Sequence, residues 1–314
     1  MNETAEILVT GGSGLVGSAL RKICSKAAYV NRQDADLTDL CQVRNLFKKL
    51  RPQKVIHLAA KVAGVKTNAA KNADMFTINA QINTNVLQVA QEFKIKKLVT
   101  TLSNCVFQEN PPQPPTEAQI HLLMPYQGHL GYGYAKRMLD LQIHLLRQQY
   151  NCRFTSITPV TIFGPNDNWN FSESHVVGSL IHKCYLAKKN KTALDVWGSG
   201  RAIRQFVYSQ DIARILLKVL EEYDDQETII IAPNGGVSIK DLAKTIAKVM
   251  DFQGPIHFDA AQPEGELIRV LSHDKFKRLF PDFKFTPLEE ALGPTAQWFV
   301  QNVSELNKIG KTRT

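Results

Sequence analysis

Short apolar runs alternate with amphipathic ones through the first half of the chain. EILVT (6–10), AYV (28–30), KVIHLAA (54–60), KLVTTLS (97–103) and RFTSITPVTIF (153–163) are apolar and β-branched, and each predicts a strand. Between them GLVGSALRKICSK, DLCQVRNLFKKL, ADMFTINAQINTNVLQVAQEF and GYAKRMLDLQIHLLRQQY carry apolar residues at helical spacing. Strands that alternate with helices imply a parallel sheet covered on both faces. After residue 165 the pattern loosens, then returns in RQFVYSQDIARILLKVLEEY and near SIKDLAKTIAKVM. The expected fold is therefore α/β, a doubly wound parallel sheet with a smaller mixed C-terminal lobe. The sheet takes residues 1–164 plus about 205–234, the lobe about 165–204 plus 235–314. No internal repeat or low-complexity linker interrupts this order.

Composition narrows the class. At 314 residues and 44% hydrophobic, the chain is long enough for two subdomains around a sizeable core. No stretch approaches the roughly 18 apolar residues that span a membrane, and the start lacks a signal peptide's basic and apolar regions. Cys24, Cys41, Cys105, Cys152 and Cys184 are odd in number and unpaired in spacing, so neither a disulfide framework nor a metal site is expected. A reducing, cytoplasmic setting fits this usage. The net charge is +9, and the final NKIGKTRT, expected to be a frayed and solvated end, supplies Lys308, Lys311 and Arg313. The remaining bases suit an anionic small molecule rather than nucleic acid, for which no binding motif is present.

VTGGSGLVGSAL places Gly11, Gly14 and Gly17 directly after the first strand and at the start of a helix. Glycine keeps that turn tight and lets the backbone approach a pyrophosphate at the positive helix end, which identifies a Rossmann-type dinucleotide site. An NAD site sets an acid at the end of the second strand to hold the ribose 2′-hydroxyl. Here Asn31 and Arg32 stand there, and a guanidinium pairs with a 2′-phosphate. NADP(H) is the expected cofactor. Asp36 follows, to face the adenine edge or cap the next helix.

LGYGYAKRMLD sets Tyr132 and Lys136 four apart on one helix face, whereas Tyr134 and Lys136 do not share one. A phenol with its reference pKa of about 10 is a weak catalyst at neutral pH, and an adjacent ammonium is expected to lower it. Ser103, where the preceding strand ends, is placed to hydrogen-bond a substrate carbonyl. His57 reads as a packed strand residue, and Cys24, Cys41, Cys152 and Cys184 as structural.

With the glycine loop, the strand-end serine and YxxxK in order, the chain resembles the extended short-chain dehydrogenase/reductase family. HLAA (57–60), FGP (163–165) and RQFVYSQD (204–211) also stand where that family has its motifs. The resemblance covers nearly the whole chain. SNCVF, FGPNDNWN, SHVVGSLIHK and VWGSG point to the branch that acts on a GDP-linked 4-keto-6-deoxy sugar. It implies epimerisation at carbons 3 and 5, then reduction at carbon 4 with NADPH. It further implies Ser103, Cys105, Tyr132, Lys136 and His175 as catalytic residues. Cys105 and His175 would exchange the protons at carbons 3 and 5, and Tyr132 would protonate the new alkoxide.

By the same resemblance the cofactor site takes in Gly11, Gly14, Gly17, Asn31, Arg32, Asp36, Leu37, Lys136, Pro159 and Ile162. The nucleotide sugar is expected at Lys183, Trp197, Arg204 and Glu264. Lys188, Lys189 and Lys191 read as a solvated helix end. A homodimer through helices near 74–93 and 133–149 is expected by analogy. The chain departs from the family pattern at Thr161, where an asparagine is usual, at Glu264, usually aspartate, and at Arg269, where a basic pair is common. Two alternatives stay open: action on a different nucleotide sugar, or a non-catalytic NADP-binding regulatory role.

Overall fold

The computed structural model describes residues 5–112, 114–170, 173–262 and 264–308; the rest of the expected frayed tail, from residue 309, lies outside them. The chain divides into two compact units. The first is Met1–Glu109, Thr116–Pro159 and Gln210–Ile231; the second is Asn110–Pro115, Val160–Ser209 and Ala232–Thr314.

In chain order the elements begin with β1 (Ile7–Thr10), α1 (Leu15–Ile23), β2 (Ala28–Val30), α2 (Leu40–Leu50), β3 (Lys54–His57), α3 (Val65–Ala70), α4 (Asn72–Glu92) and β4 (Lys97–Thr101). There follow α5 (Leu130–Tyr150), β5 (Phe154–Pro159), β6 (Thr161–Phe163), α6 (Val176–Asn190), β7 (Leu194–Trp197), β8 (Ile203–Arg204) and β9 (Phe206–Tyr208). The chain continues through α7 (Ser209–Glu222), β10 (Ile229–Ile231), β11 (Val237–Ser238), α8 (Ile239–Val249), β12 (Ile256–Asp259), β13 (Ile268–Arg269), α9 (Asp274–Leu279) and α10 (Leu288–Lys308).

The first unit is built on a six-stranded sheet in the order β10-β5-β4-β3-β1-β2, with every pairing parallel. Leu8, Val9, Val55, Ile56, Leu98 and Val99 are fully buried, as strands covered on both faces require. β1 lies between β2 and β3, so the chain leaves β1 on one side and later returns on the other. Ligands of such sheets bind outside the strand ends at this reversal. The glycine loop starts there.

A buried polar chain ties these strand ends together. The Thr10 hydroxyl lies 2.7 Å from His57 Nδ1, and His57 Nε2 lies 3.2 Å from Asn83 Oδ1 on α4. Asn83 in turn donates to the Ala135 carbonyl of α5, at 3.4 Å. Burial pushes the His57 imidazole down to about 3, with Lys136 adding to the shift, so the ring is neutral. His57 is a packed strand residue, as the sequence implies, and it links the glycine loop to the helix bearing Lys136.

Two readings are corrected. The run 153–163 is two strands, not one: β5 ends at Pro159 in the large sheet, and β6 pairs with β9 in the second unit. Proline has no N–H to continue a ladder, and the chain changes sheets at Val160. The α2 cap is Asp39, whose carboxylate accepts from the Cys41 and Gln42 amides, rather than Asp36.

In the second unit, α6, α8 and α10 enclose a core that includes Val177, Leu180, Ile181, Cys184, Leu242, Ile246 and Phe299. Beside them β11, β8 and β13 form a small mixed sheet, with β11 antiparallel and β13 parallel to β8. Trp169, 1% exposed, stacks 6.1 Å from Trp298 and lies 4.6 Å from Phe299. It anchors the loop between β6 and α6. Trp169→Ala is expected to cost about 3–5 kcal/mol, as a large buried side chain would, read as a lower denaturant midpoint of the purified chain.

Candidate active site

The glycine loop leaves β1 with Gly11 at φ +71, where a Cβ would come within 2.8 Å of the Ala59 amide nitrogen. A Cβ on Gly17 would stand 2.4 Å from the Gly11 carbonyl oxygen, so both positions demand glycine. Gly14 occupies the N-cap of α1 and offers no side-chain cap. The first amides of α1 therefore have no capping side chain, which suits a phosphate at the helix end.

At the end of β2 the chain turns on its own side chains. Asp34 accepts from the Asn31 amide at 2.8 Å, and Asn31 Oδ1 accepts from Gln33 at 2.8 Å. Asp36 accepts from the Thr38 amide and hydroxyl, at 3.0 and 2.7 Å. These Thr38 bonds hold the Asp36 carboxyl below the usual range. The Arg32 side chain is 88% exposed and reaches only as far as Asp36, 3.7 Å away. Leu37 is buried, and its carbonyl accepts from Asn85 on α4.

Four expected catalytic residues meet in the first unit. Ser103 opens a single 3₁₀ turn, Asn104–Val106, and its hydroxyl accepts from the Cys105 amide at 3.3 Å. Cys105 is half-buried and packs with Ala63, Met75 and Tyr132, while its Sγ lies 3.7 Å from Asn104 Oδ1. Lys136, 3% exposed, donates to the Thr101 carbonyl at the end of β4, at 2.7 Å. Its ammonium is 5.8 Å from the centre of the Tyr132 ring.

The charge state corrects the expectation of an acidified phenol. Burial pushes the Tyr132 phenol above its ordinary range, and the Cys105 thiolate would push it further. Burial lowers Lys136 to about 8, a shift the Cys105 charge opposes. Both effects have one cause: little water remains to solvate either charged form. Tyr132 is consequently a protonated donor at neutral pH, not a phenolate.

The remaining expected residues belong to the second unit, apart from Pro159, which ends β5. Ile162 lies on β6. His175 is exposed and stands at the N-cap of α6, without a side-chain cap bond. Lys183 sits over the Trp197 ring, 4.6 Å from its centre, and burial lowers the Lys183 ammonium while Asp195 opposes the shift. Arg204 donates to the carbonyls of Ile203 and Glu266, at 2.8 and 2.6 Å. Burial pushes Arg204 down, and Glu266 counters it. Glu264 accepts twice from the Ser199 hydroxyl, at 2.7 and 2.9 Å, and once from the Ala202 amide, at 3.1 Å. The Ser199 bonds hold its carboxyl below the usual range.

Two groups escaped the sequence reading. Asp167 lies in the loop anchored by Trp169; burial raises its carboxyl to about 6, and the charge of His175 opposes the rise. Arg137, next to Lys136, is buried and donates to main-chain carbonyls of Val106, Leu122 and Leu123. Neither carries a local sequence signal, because the partners of each are set by folding.

A profile described as the NAD dependent epimerase/dehydratase family matches residues 7–232. GDP-L-fucose synthase of Dictyostelium discoideum is 37% identical, across 98% of this chain and 100% of its own length. A probable GDP-L-fucose synthase of Drosophila melanogaster is 36% identical, over 96% of this chain and 99% of that one. Among solved structures, a GDP-L-fucose synthetase from Naegleria fowleri bound to NADP superposes with a TM-score of 0.90 at 37% identity, covering 97% of this chain and 96% of that one. On full-length similarity and on a strand–glycine loop–helix start followed by Ser103, Tyr132 and Lys136, the chain belongs to the NAD dependent epimerase/dehydratase family, among its GDP-L-fucose synthases.

Proposed function

We propose that this protein is an NADPH-dependent epimerase–reductase that converts GDP-4-keto-6-deoxy-D-mannose into GDP-L-fucose. The observation that carries this reading is the half-buried Cys105 thiol packed against Tyr132, in a chain alike over its whole length to GDP-L-fucose synthases.

The residues fit an NADP(H) cofactor. The cradle at Gly11 and Gly17 is one a Cβ would fill, and Arg32 offers an exposed cation where an acid would repel a 2′-phosphate. Gly14 and the α1 amides take the pyrophosphate; Asn31, Arg32, Asp36 and Leu37 take the adenosine end. Lys136, Pro159 and Ile162 belong to the nicotinamide end. When bound, the cofactor supplies a hydride to carbon 4.

The chain's own groups handle the protons. A ketone at carbon 4 acidifies the protons on carbons 3 and 5, and Cys105 and His175 are the two groups that remove and return them. Ser103 donates a hydrogen bond to the carbonyl. Tyr132, kept protonated by burial, gives its proton to the oxygen at carbon 4. Lys136 stabilises the phenolate left behind. Lys183, Trp197 and Arg204 hold the GDP through charge and stacking, and Glu264 orders the loop at 199–202 beside Trp197.

Two further features extend the reading. Tyr134, Met138, Leu141 and Leu145 make an exposed apolar stripe along α5, at 36%, 43%, 51% and 52% exposure. That stripe is the face by which two copies pair as a homodimer. Free thiols at all five cysteines fit a cytoplasmic setting.

Three outcomes test this account. Arg32→Ala should raise KM for NADPH on the order of tenfold and leave KM for NADH unchanged, as loss of a charge-assisted pair requires. Lys136 is cationic below its value of about 8 and neutral above it, so kcat/KM should fall as pH rises past about 8. A profile flat to pH 10 would remove the ammonium from the reaction. Sedimentation should give twice the 35.2 kDa chain mass, and Leu141→Glu should return it to one.

A further inference from the structure

Arg137 is 6% exposed and sits one residue beyond Lys136 on α5. Its guanidinium grips two chain segments at once. Nε and an Nη both donate to the Val106 carbonyl, at 2.8 and 2.6 Å, and that Nη also reaches Leu122, at 3.0 Å. The other Nη donates to the Leu123 carbonyl. Val106 follows Cys105 in the same 3₁₀ turn.

Gly133, one helical turn earlier, touches the same two segments. A Cβ there would stand 2.7 Å from the Cys105 carbonyl oxygen and 2.7 Å from Pro125 Cβ. Positions 133 and 137 therefore form a row on α5 beside the row of Tyr132 and Lys136. One row approaches the turn and the other carries the acid and its cation.

The cost of this arrangement argues for a purpose. A buried cation among neutral carbonyls loses hydration that an apolar side chain of similar size would not forfeit. Burial indeed pushes the Arg137 guanidinium down, with Tyr134 opposing the shift. A planar fork of fixed donors fixes two backbones at a set distance, which a lysine's single ammonium cannot do.

We propose that Arg137 is the positioning residue for Cys105: together with Gly133 it locks the turn that bears the thiol onto α5, at a fixed offset from Tyr132 and Lys136. This rests on the reading of Cys105 as an epimerisation acid/base. A misplacement of about 1 Å at such a group costs on the order of 10²-fold in rate. The loss falls on the proton exchange that Cys105 serves, and leaves binding of the nucleotide intact.

The test uses the full chain carrying Arg137→Met or Arg137→Lys. Amide hydrogen exchange in 103–107 and 120–126 should quicken at least tenfold, while α5 stays protected. Turnover in deuterium oxide should lose label at carbons 3 and 5 together, kcat should fall on the order of 10²-fold, and KM for NADPH should hold. Arg137→Lys, which keeps a buried cation, is read if the methionine variant does not fold. Unchanged exchange in both segments of a folded variant, or full label at both carbons with unchanged kcat, overturns the proposal. Cys105→Ser separates the two ideas: if it still labels both carbons, the acid/base reading fails, while amide exchange still decides whether Arg137 fixes the turn.

Discussion

The ammonium of Lys136, buried and held by the Thr101 carbonyl, is the constraint around which the first unit is arranged. A lysine is rarely buried without a partner, and here the partner is main chain at a strand end. To reach it, α5 must lie close to β4. Gly131 permits that approach on the other side, since a Cβ there would meet the Asn72 carbonyl oxygen of α4 at 2.0 Å. The neutral His57, buried between Thr10 and Asn83, keeps a second positive charge away from the ammonium. Glycine loop, strand ends and the helix bearing Lys136 are thus joined through buried hydrogen bonds.

The same burial sets the chemistry. Removing water raises the phenol of Tyr132 and lowers the ammonium of Lys136, so at neutral pH the phenol stays protonated while Lys136 keeps its charge. A thiol in the same apolar packing, with Ala63 and Met75 around it, gains a fixed place next to the acid.

Much of this was legible in the chain. The apolar runs located five of the six strands of the large sheet, β10 being missed, and the glycine spacing located the loop, because both are local signals. YxxxK marked α5 and the face that carries Tyr132 and Lys136 for the same reason. What the sequence concealed depends on contacts made by folding. Pro159 hid the change of sheet inside one apolar run, and two nearby aspartates competed for one helix cap that only Asp39 takes. The direction of the Tyr132 shift follows from burial, which outweighs a charge four residues away. Arg137 stood inside the quoted motif, yet its acceptors lie 14 to 31 residues earlier.

In the proposed reaction one chain exchanges protons at two carbons and directs a hydride from NADPH to a third. Its most direct test is turnover of GDP-4-keto-6-deoxy-D-mannose by the purified protein with NADPH in deuterium oxide, following nicotinamide oxidation and product mass together. The account predicts NADPH-selective oxidation and a product labelled at both carbons 3 and 5. Oxidation with no label at either carbon would contradict it and leave a plain reductase whose thiol belongs to the packing.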